Sequence, residues 1–378
     1  MIRISALLRY NPAVADPQVI QLDLGKDSYD IVVRRGLLAD VPHLVRKLTG
    51  SPRMGVIGDS ALADSWLPRL RDAAQSAGVE IDAAIFPRGE DNKTVRQVES
   101  LYSFFLQRRI DRRYPIVALG GGVVGDVAGF VAATLLRGLP FVQVPTTLLA
   151  MVDASVGGKT GVNHPLGKNL IGAFHQPRGV LIDPDVLATL PKRELVGGLA
   201  ECIKHDIIRD ADGFSRLQSS IDKLVAADLD ALADLVAHNV AIKAAVVSAD
   251  PFEKGERAHL NFGHTFGHAI ESVSEYSYSH GESVALGMVA ATRLARRLGM
   301  IDAACENRIV DLIRAAGLPV GGMKLPVAAV AEAMAYDKKV RAGLVRFVLP
   351  TRIGHVIVRD DVPRELAVSV IESLVPPA

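Results

Sequence analysis

Three histidines fall within 17 residues of one another, in His264-Thr-Phe-Gly-His268 and His280-Gly-Glu282, in a chain that holds ten. His264 and His268 stand at i and i+4, so on a helix they share a face, a spacing suited to two imidazoles on one divalent metal. Thr265 follows the first histidine where HExxH requires glutamate, which excludes the zinc-protease arrangement. Such a site needs a carboxylate, and Leu199-Ala-Glu201-Cys-Ile-Lys204 offers one. An acid and an amine one helical turn apart in an apolar stretch read equally as a pocket wall or as an ordinary i,i+3 ion pair.

A second chemistry is written in glycine. Gly120-Gly-Gly-Val-Val-Gly125 matches G-x-G-x-x-G, after an apolar run (Pro115 to Leu119) and before a helical pattern, the context the dinucleotide fingerprint needs. Backbone without side chains lets a pyrophosphate approach, and the helix N-terminus supplies N–H donors and positive dipole. No acid stands about 20 residues downstream to hold a ribose, and Asp59, after the run Met54 to Gly58, can fill that place from a neighbouring strand end. Gly157-Gly-Lys-Thr-Gly161 looks like the end of a P-loop, but Asp153 stands where its first glycine belongs, so a P-loop hydrolase is excluded. Lys159 and Lys168 are expected in glycine-flanked loops facing an anionic ligand. Lys243, Glu253, Arg257, Asn261 and the pair Lys338-Lys339 punctuate the second half. With Lys159, Lys168 and Lys204 they can line a cationic pocket for a small, multiply anionic substrate.

The elements that must position these residues alternate at first. Strands are expected at 54–58, 81–87, 115–119, 141–145 and 180–183, with helices at 60–78 and 94–108 between them. This is the pattern of a doubly wound parallel sheet, preceded by a hairpin over 18–24 and 27–33. From Pro191 the pattern turns to amphipathic helices, with only 345–349 and 355–358 reading as strands. The expected fold is α/β plus α: a doubly wound NAD-binding α/β domain over 1–185, then a mainly helical metal- and substrate-binding domain over 186–378. Lys+Arg number 43 and Asp+Glu 42, a net charge of +1, too little for general nucleic-acid or polybasic membrane binding. Ile116 to Leu136 carries one charge, Asp126, but its glycines argue for a buried strand, turn and helix rather than a membrane span. No secretory signal is legible over Met1 to Pro17, and two cysteines, Cys202 and Cys305, suit a reducing, cytoplasmic setting.

Together these strings resemble the 3-dehydroquinate synthase family of sugar phosphate cyclases. The resemblance rests on Gly120 to Asp126, Arg137-Gly138, Gln143-Val-Pro-Thr-Thr-Leu148, Val152 to Lys159, Asn163 to Phe174, Glu201 with Lys204, Leu260 to Glu271, and His280-Gly-Glu282. It implies a two-domain, commonly homodimeric enzyme converting 3-deoxy-D-arabino-heptulosonate 7-phosphate into 3-dehydroquinate and phosphate. The route is transient oxidation by NAD, phosphate elimination, re-reduction and intramolecular aldol closure, within the shikimate pathway. It implies a divalent metal, zinc or cobalt, on Glu201, His264 and His280. NAD contacts are implied for Asp59, Glu90, Lys93, Gly121, Gly122, Val123, Asp126, Thr146, Thr147 and Thr189. Facing the sugar phosphate it implies Asp153, Lys159, Lys168, Asn169, Lys204, Lys243, Arg257, Asn261, His268 and one of Lys338 or Lys339. Arg137 is assigned to the phosphate, in the same subunit or across a dimer. His205-Asp206, following Lys204, departs from the Tyr-Gly common in that family.

Within that reading His268 is expected to bind substrate or move a proton rather than ligate metal. Glu201, His264 and His280 already make a three-ligand set, and a fourth protein ligand would close a catalytic metal into a structural one. The alternatives are a related cyclase acting on another sugar phosphate such as sedoheptulose 7-phosphate, a metal-dependent NAD polyol dehydrogenase, and a catalytically silent NAD-binding regulator.

Overall fold

A computed structural model describes residues 16–275, 277–335 and 345–376. The chain divides into two units, one comprising the chain up to Leu190 together with Leu232–Ser248, the other Pro191–Ala231 together with the chain from Ala249 onward.

The first unit contains β1 (Gln18–Leu22), β2 (Tyr29–Val33), α1 (Val41–Thr49), β3 (Arg53–Asp59), α2 (Trp66–Ala77), β4 (Glu80–Phe86), α3 (Val95–Gln107), β5 (Ile116–Gly120), α4 (Gly122–Thr134), β6 (Phe141–Pro145), β7 (Lys159–His164), β8 (Gly167–Phe174) and β9 (Gly179–Ile182). Seven of these strands form one sheet in the order β1-β2-β9-β6-β5-β3-β4, parallel except for the β1–β2 hairpin. Every residue of β5 and β6 is buried, as expected of parallel strands covered on both faces. Ile57, Phe86, Phe105, Ile116, Val127 and Phe141 form the centre of one core cluster. The order in which successive strands join the sheet reverses between β3 and β5, which are parallel neighbours, and this is the switch point at which open α/β sheets take ligands beyond their carboxyl ends. Asp59 ends β3 and Gly120 ends its neighbour β5.

The hairpin β7–β8 corrects the expectation that Lys159 and Lys168 sit in loops. Both lie on strands, paired antiparallel through Gly161 opposite Gly172. These glycines hid the hairpin. A Cβ on Gly161 would lie 2.5 Å from the Ile171 carbonyl oxygen, so the strands approach too closely for the β-branched residues that advertise a strand.

The sequence boundary near 185 falls inside a turn, Pro184–Thr189, that stays with the first unit. Asp183 accepts N–H bonds from Gly36 and Leu38, and Trp66 Nε1 donates to Thr189 Oγ1 at 2.7 Å. Residues 232–248 also group with this unit, although the sequence reading placed them in the helical domain.

The remaining elements are α5 (Lys192–Arg209), α6 (Ala211–Val225), α7 (Leu229–Ala249), α8 (His264–Val273), α9 (His280–Arg297), α10 (Ala303–Ala315), α11 (Val327–Ala335), β10 (Phe347–Arg352), β11 (His355–Arg359) and α12 (Arg364–Glu372). In the second unit α5, α8, α10, α12 and β10 all pack against α9. Glycine sets the closest of these approaches. A Cβ on Gly287 of α9 would lie 2.7 Å from the Gly267 nitrogen of α8. Ser279 and Glu282 close a capping box on α9, which fixes His280 as its first residue. The stretch from Ile116 to Leu136 folds as buried β5 and α4. Among the described residues one helix, α7, is long and apolar enough to cross a membrane, and 56% of its most apolar window is buried within the protein.

Candidate functional site

Glu201 Oε1 lies 3.3 Å from His280 Nε2 and 3.5 Å from His264 Nε2. One donor atom from each of the three residues falls within 4.8 Å of the others. The donors come from α5, α8 and α9, and both histidines are oriented from behind. His264 Nδ1 faces the Phe262 carbonyl at 3.1 Å, and His280 Nδ1 faces Glu271 Oε2 at 3.4 Å. Both Nε2 atoms thus turn toward Glu201, the arrangement by which second-layer acceptors fix imidazole ligands. Burial, and then the Lys204 ammonium, hold His264 well below the usual imidazole range, so its lone pair is available. Burial alone would lower His280 too, but its bonds to Glu201 and Glu271 outweigh that and raise it to about 10. The pocket between these carboxylates therefore favours a cation, which a divalent metal can supply in place of that proton. Two imidazoles and one carboxylate fit a catalytic metal with open positions.

Glu201 is 0% and Lys204 1% exposed, and Lys204 Nζ pairs with Glu201 Oε2. Of the two readings left open for this pair, the i,i+3 ion pair is the one observed, and it is fully buried. The His268 ring centroid stands 5.2 Å from that of His264 and 6.3 Å from that of His280, beside the three donors but outside their group. Asn261 Nδ2 donates to Glu253 Oε1 at 2.9 Å, and the buried Arg257 donates to the Pro251 carbonyl at 2.6 Å. Asp250 organises this loop by accepting N–H bonds from Lys254, Gly255 and Arg257. Lys338 and Lys339 lie outside the described residues.

In the first unit Gly121 caps α4 and Gly122 begins it. A Cβ on Gly121 would lie 3.1 Å from the Thr147 methyl group, and one on Gly125 2.9 Å from Gln143 Oε1. The turn is thus both a helix N-terminus offering N–H groups and a close helix–strand contact. Val123 lies in the same first turn, and Thr146 N–H donates to the Gly120 carbonyl at 2.9 Å. Beside the turn a polar network joins residues from several elements. The buried Lys93 binds both Asp126 on α4 and Asn169 on β8. Asn163 Nδ2 donates to Glu90 Oε1 at 2.9 Å, while its Oδ1 accepts from Asn169 N–H at 3.0 Å. Lys168 Nζ stands 3.8 Å from Glu90, and Lys159 contributes positive potential at Asp126. Burial raises Asp126 above the usual carboxylate range despite Lys93, and burial also raises Asp59, whose carboxylate accepts Ala61 N–H. Lys243 of α7 pairs with Asp153. Thr189 uses its hydroxyl on Trp66 and the Val186 carbonyl, apart from this network. Arg137 lies on an exposed turn with left-handed backbone (φ 67), next to Leu136 (φ 51).

The sequence reading assigned no role to Glu271, Asn163 or Asp250. Glu271 was legible, because 264, 268 and 271 repeat at i, i+4 and i+7, one stripe of a helix. Asn163 and Asp250 act through contacts to backbone and loops, which no periodicity announces.

The family model described as 3-dehydroquinate synthase N-terminal matches residues 83–197, and the one described as 3-dehydroquinate synthase C-terminal matches residues 198–340. The chain belongs to the 3-dehydroquinate synthase family. A 3-dehydroquinate synthase of Picosynechococcus sp. is 45% identical over 355 residues, covering 93% of this chain and 97% of its own. Among solved structures, a 2-epi-5-epi-valiolone synthase from Streptomyces hygroscopicus with NAD+ and Zn2+ bound superposes with a TM-score of 0.86 at 30% identity, covering 93% of this chain and 98% of its own. A 2-deoxy-scyllo-inosose synthase complexed with carbaglucose-6-phosphate, NAD+ and Co2+ gives 0.87 at 25%, covering 94% and 100%. With both halves in the 3-dehydroquinate synthase family, the polyol dehydrogenase alternative has no support.

Proposed function

We propose that this chain is a 3-dehydroquinate synthase, converting 3-deoxy-D-arabino-heptulosonate 7-phosphate into 3-dehydroquinate and phosphate. The observation that carries this reading is the family match, which continues through both halves of the chain. By likeness to the solved relatives that hold NAD+ with Zn2+ or Co2+, the glycine turn at Gly121 and Gly122 is the pyrophosphate seat. We assign Asp59, which ends β3 beside β5, to the ribose, and Glu201, His264 and His280 to the metal. Bound there, the metal would supply Lewis acidity at the substrate hydroxyls and NAD a reversible hydride acceptor.

This chain's own residues do the rest. Lys159, Lys168, Lys243 and Arg257 supply positive charge for the substrate's carboxylate and phosphate, with Asp153 and Asn169 orienting its hydroxyls. Lys204 pairs with the Glu201 carboxylate and orients it. His268, next to the metal ligands but outside their set, moves a proton at its imidazole nitrogen. Arg137 serves the phosphate. The enzyme acts as a cytoplasmic homodimer.

The solved neighbours are named as synthases of different products, so substrate identity is the point to test. Phosphate release should be measured with 3-deoxy-D-arabino-heptulosonate 7-phosphate, sedoheptulose 7-phosphate and glucose 6-phosphate, each with and without NAD. Release from the first alone, dependent on NAD, is expected. Preference for sedoheptulose 7-phosphate would make the protein a related cyclase.

A further inference from the structure

Arg193 lies on α5, two turns before Glu201, and nothing in the sequence marks it as more than a surface cation. In the structure it forms a two-pronged ion pair with Glu282. Nε stands 2.9 Å from Oε1 and an Nη atom 2.6 Å from Oε2, and the guanidinium also donates to the Ser277 carbonyl at 3.0 Å. Glu282 in turn accepts the Ser279 N–H at 2.8 Å and closes the capping box on α9. One guanidinium thus grips both sides of the turn that delivers His280.

The same face of α5 carries the rest of the arrangement. Residues 193, 197 and 201 repeat at i, i+4 and i+8, one stripe of the helix. At the middle position Gly197 meets Gly281, the residue after His280. A Cβ on Gly281 would lie 2.6 Å from the Gly197 carbonyl carbon, so the α5 and α9 backbones touch there. At the far position Glu201 meets His280 Nε2 at 3.3 Å. An ion pair, a backbone contact and a ligand pair therefore follow one another along a single stripe. The glycine contact brings the two backbones together, and the ion pair ties α5 to the cap of α9.

We propose that Arg193, acting through Glu282, is a positioning residue for the metal centre, holding the first turn of α9 so that the His280 imidazole reaches the ligand position opposite Glu201. This inference rests on the metal site proposed above. An exposed ion pair contributes little to global stability, so the effect of losing this one should fall on the metal rather than on folding. Arg193 touches neither substrate nor cofactor in this account. Its planar fork is the part that matters, because lysine offers a point charge that cannot engage both carboxylate oxygens and the Ser277 carbonyl at once.

The test uses full-length protein and zinc or cobalt as the probe. Zinc affinity is measured by competition with a chromophoric chelator, and the cobalt-substituted proteins are compared by visible absorption. The variants are Arg193→Ala, Arg193→Lys, Glu282→Gln and His280→Ala, and the melting temperature of each metal-free protein is recorded. Glu282→Gln keeps a side-chain oxygen for the cap and loses the ion pair. Arg193→Ala and Glu282→Gln should each weaken zinc by about 10–100-fold, the range for lost outer-layer support, and alter the cobalt bands. Their combination should cost no more than either alone, and Arg193→Lys should recover part of the loss. Metal-free melting should stay within about 3 °C of the parent. If the parent binds no zinc and His280→Ala matches it, the metal reading itself fails. If the parent binds zinc and His280→Ala loses it, while Arg193→Ala and Glu282→Gln keep parental affinity and spectrum, the metal reading stands and the role of Arg193 is overturned. A loss seen only in Arg193→Ala, accompanied by a large fall in metal-free melting temperature, also overturns it.

Discussion

In the second unit the donors Glu201, His264 and His280 stand on three helices whose approach is set by glycine backbones at Gly197, Gly267, Gly281 and Gly287. In the first unit Glu90, Lys93, Asp126, Asn163 and Asn169 stand on loops, a helix and a hairpin, held by hydrogen bonds and by ion pairs of the buried Lys93 with Asp126 and Glu90. The contrast is between steric and polar positioning. Backbones in contact cannot shift without a clash, so the donor group has one geometry. A polar network survives the loss of one link if its remaining members stay satisfied. Substitutions of the three donors in the second unit should therefore abolish function, and those around the glycine turn of the first should grade it.

The largest effect is expected from His264→Ala. It should purify without metal, as read by atomic absorption, and its turnover should fall by at least ~10³-fold, since several kcal/mol of charge stabilisation is lost. His268→Ala sharpens the comparison, because it lies on the same helix face one turn on. It should retain metal and NAD and lose roughly 10²–10⁴-fold in turnover. A metal-free His268→Ala would make it a ligand. Next comes Glu271→Gln, which leaves the donors in place and removes the carboxylate behind His280. Zinc affinity should weaken by about 10–100-fold in a chelator competition.

In the first unit Gly122→Val should weaken NAD binding by ~10-fold or more, read by titration of the protein with NAD, because the side chain blocks the backbone approach at the start of α4. Unchanged NAD affinity would make the glycine turn a packing feature only. The smallest effect is expected at Asp250. Desolvation pushes this carboxylate up, but three backbone N–H bonds outweigh it and hold it below its usual range. A depressed folded-state value means stability that is fully present above the unfolded value, about 3.9, and is lost as the pH falls through the folded one. Solvent screening of this carboxylate limits the effect, so Asp250→Asn should cost less than about 1 kcal/mol near neutrality, measured by denaturant unfolding. The difference should close under acid conditions where both side chains are neutral.

The same contrast explains what could be read in advance. Buried parallel strands such as Ile116 to Gly120 and amphipathic helices such as α8 announce themselves, because a covered strand must be apolar throughout and a helix face repeats every 3.6 residues. The histidine and glutamate donors lie on such faces, so their type and spacing were legible. The hairpin β7–β8 was not, because Gly161 and Gly172 buy close strand contact with the loss of strand-like composition. Asn163 was invisible for a related reason: its partners Glu90 and Asn169 come from different loops and strands, and only the fold brings them together. The assignment of 232–248 to the first unit likewise rests on where the helix packs, which its own residues do not state.

The most direct test follows phosphate release and nicotinamide absorbance together, in one cuvette, with 3-deoxy-D-arabino-heptulosonate 7-phosphate and NAD present at the concentration of enzyme subunits. Many equivalents of phosphate per bound NAD are expected, with no net accumulation of NADH, and release should be lost completely after metal is removed by a chelator. NADH rising in step with product, or phosphate release that persists undiminished in metal-free protein, would contradict the proposed reaction.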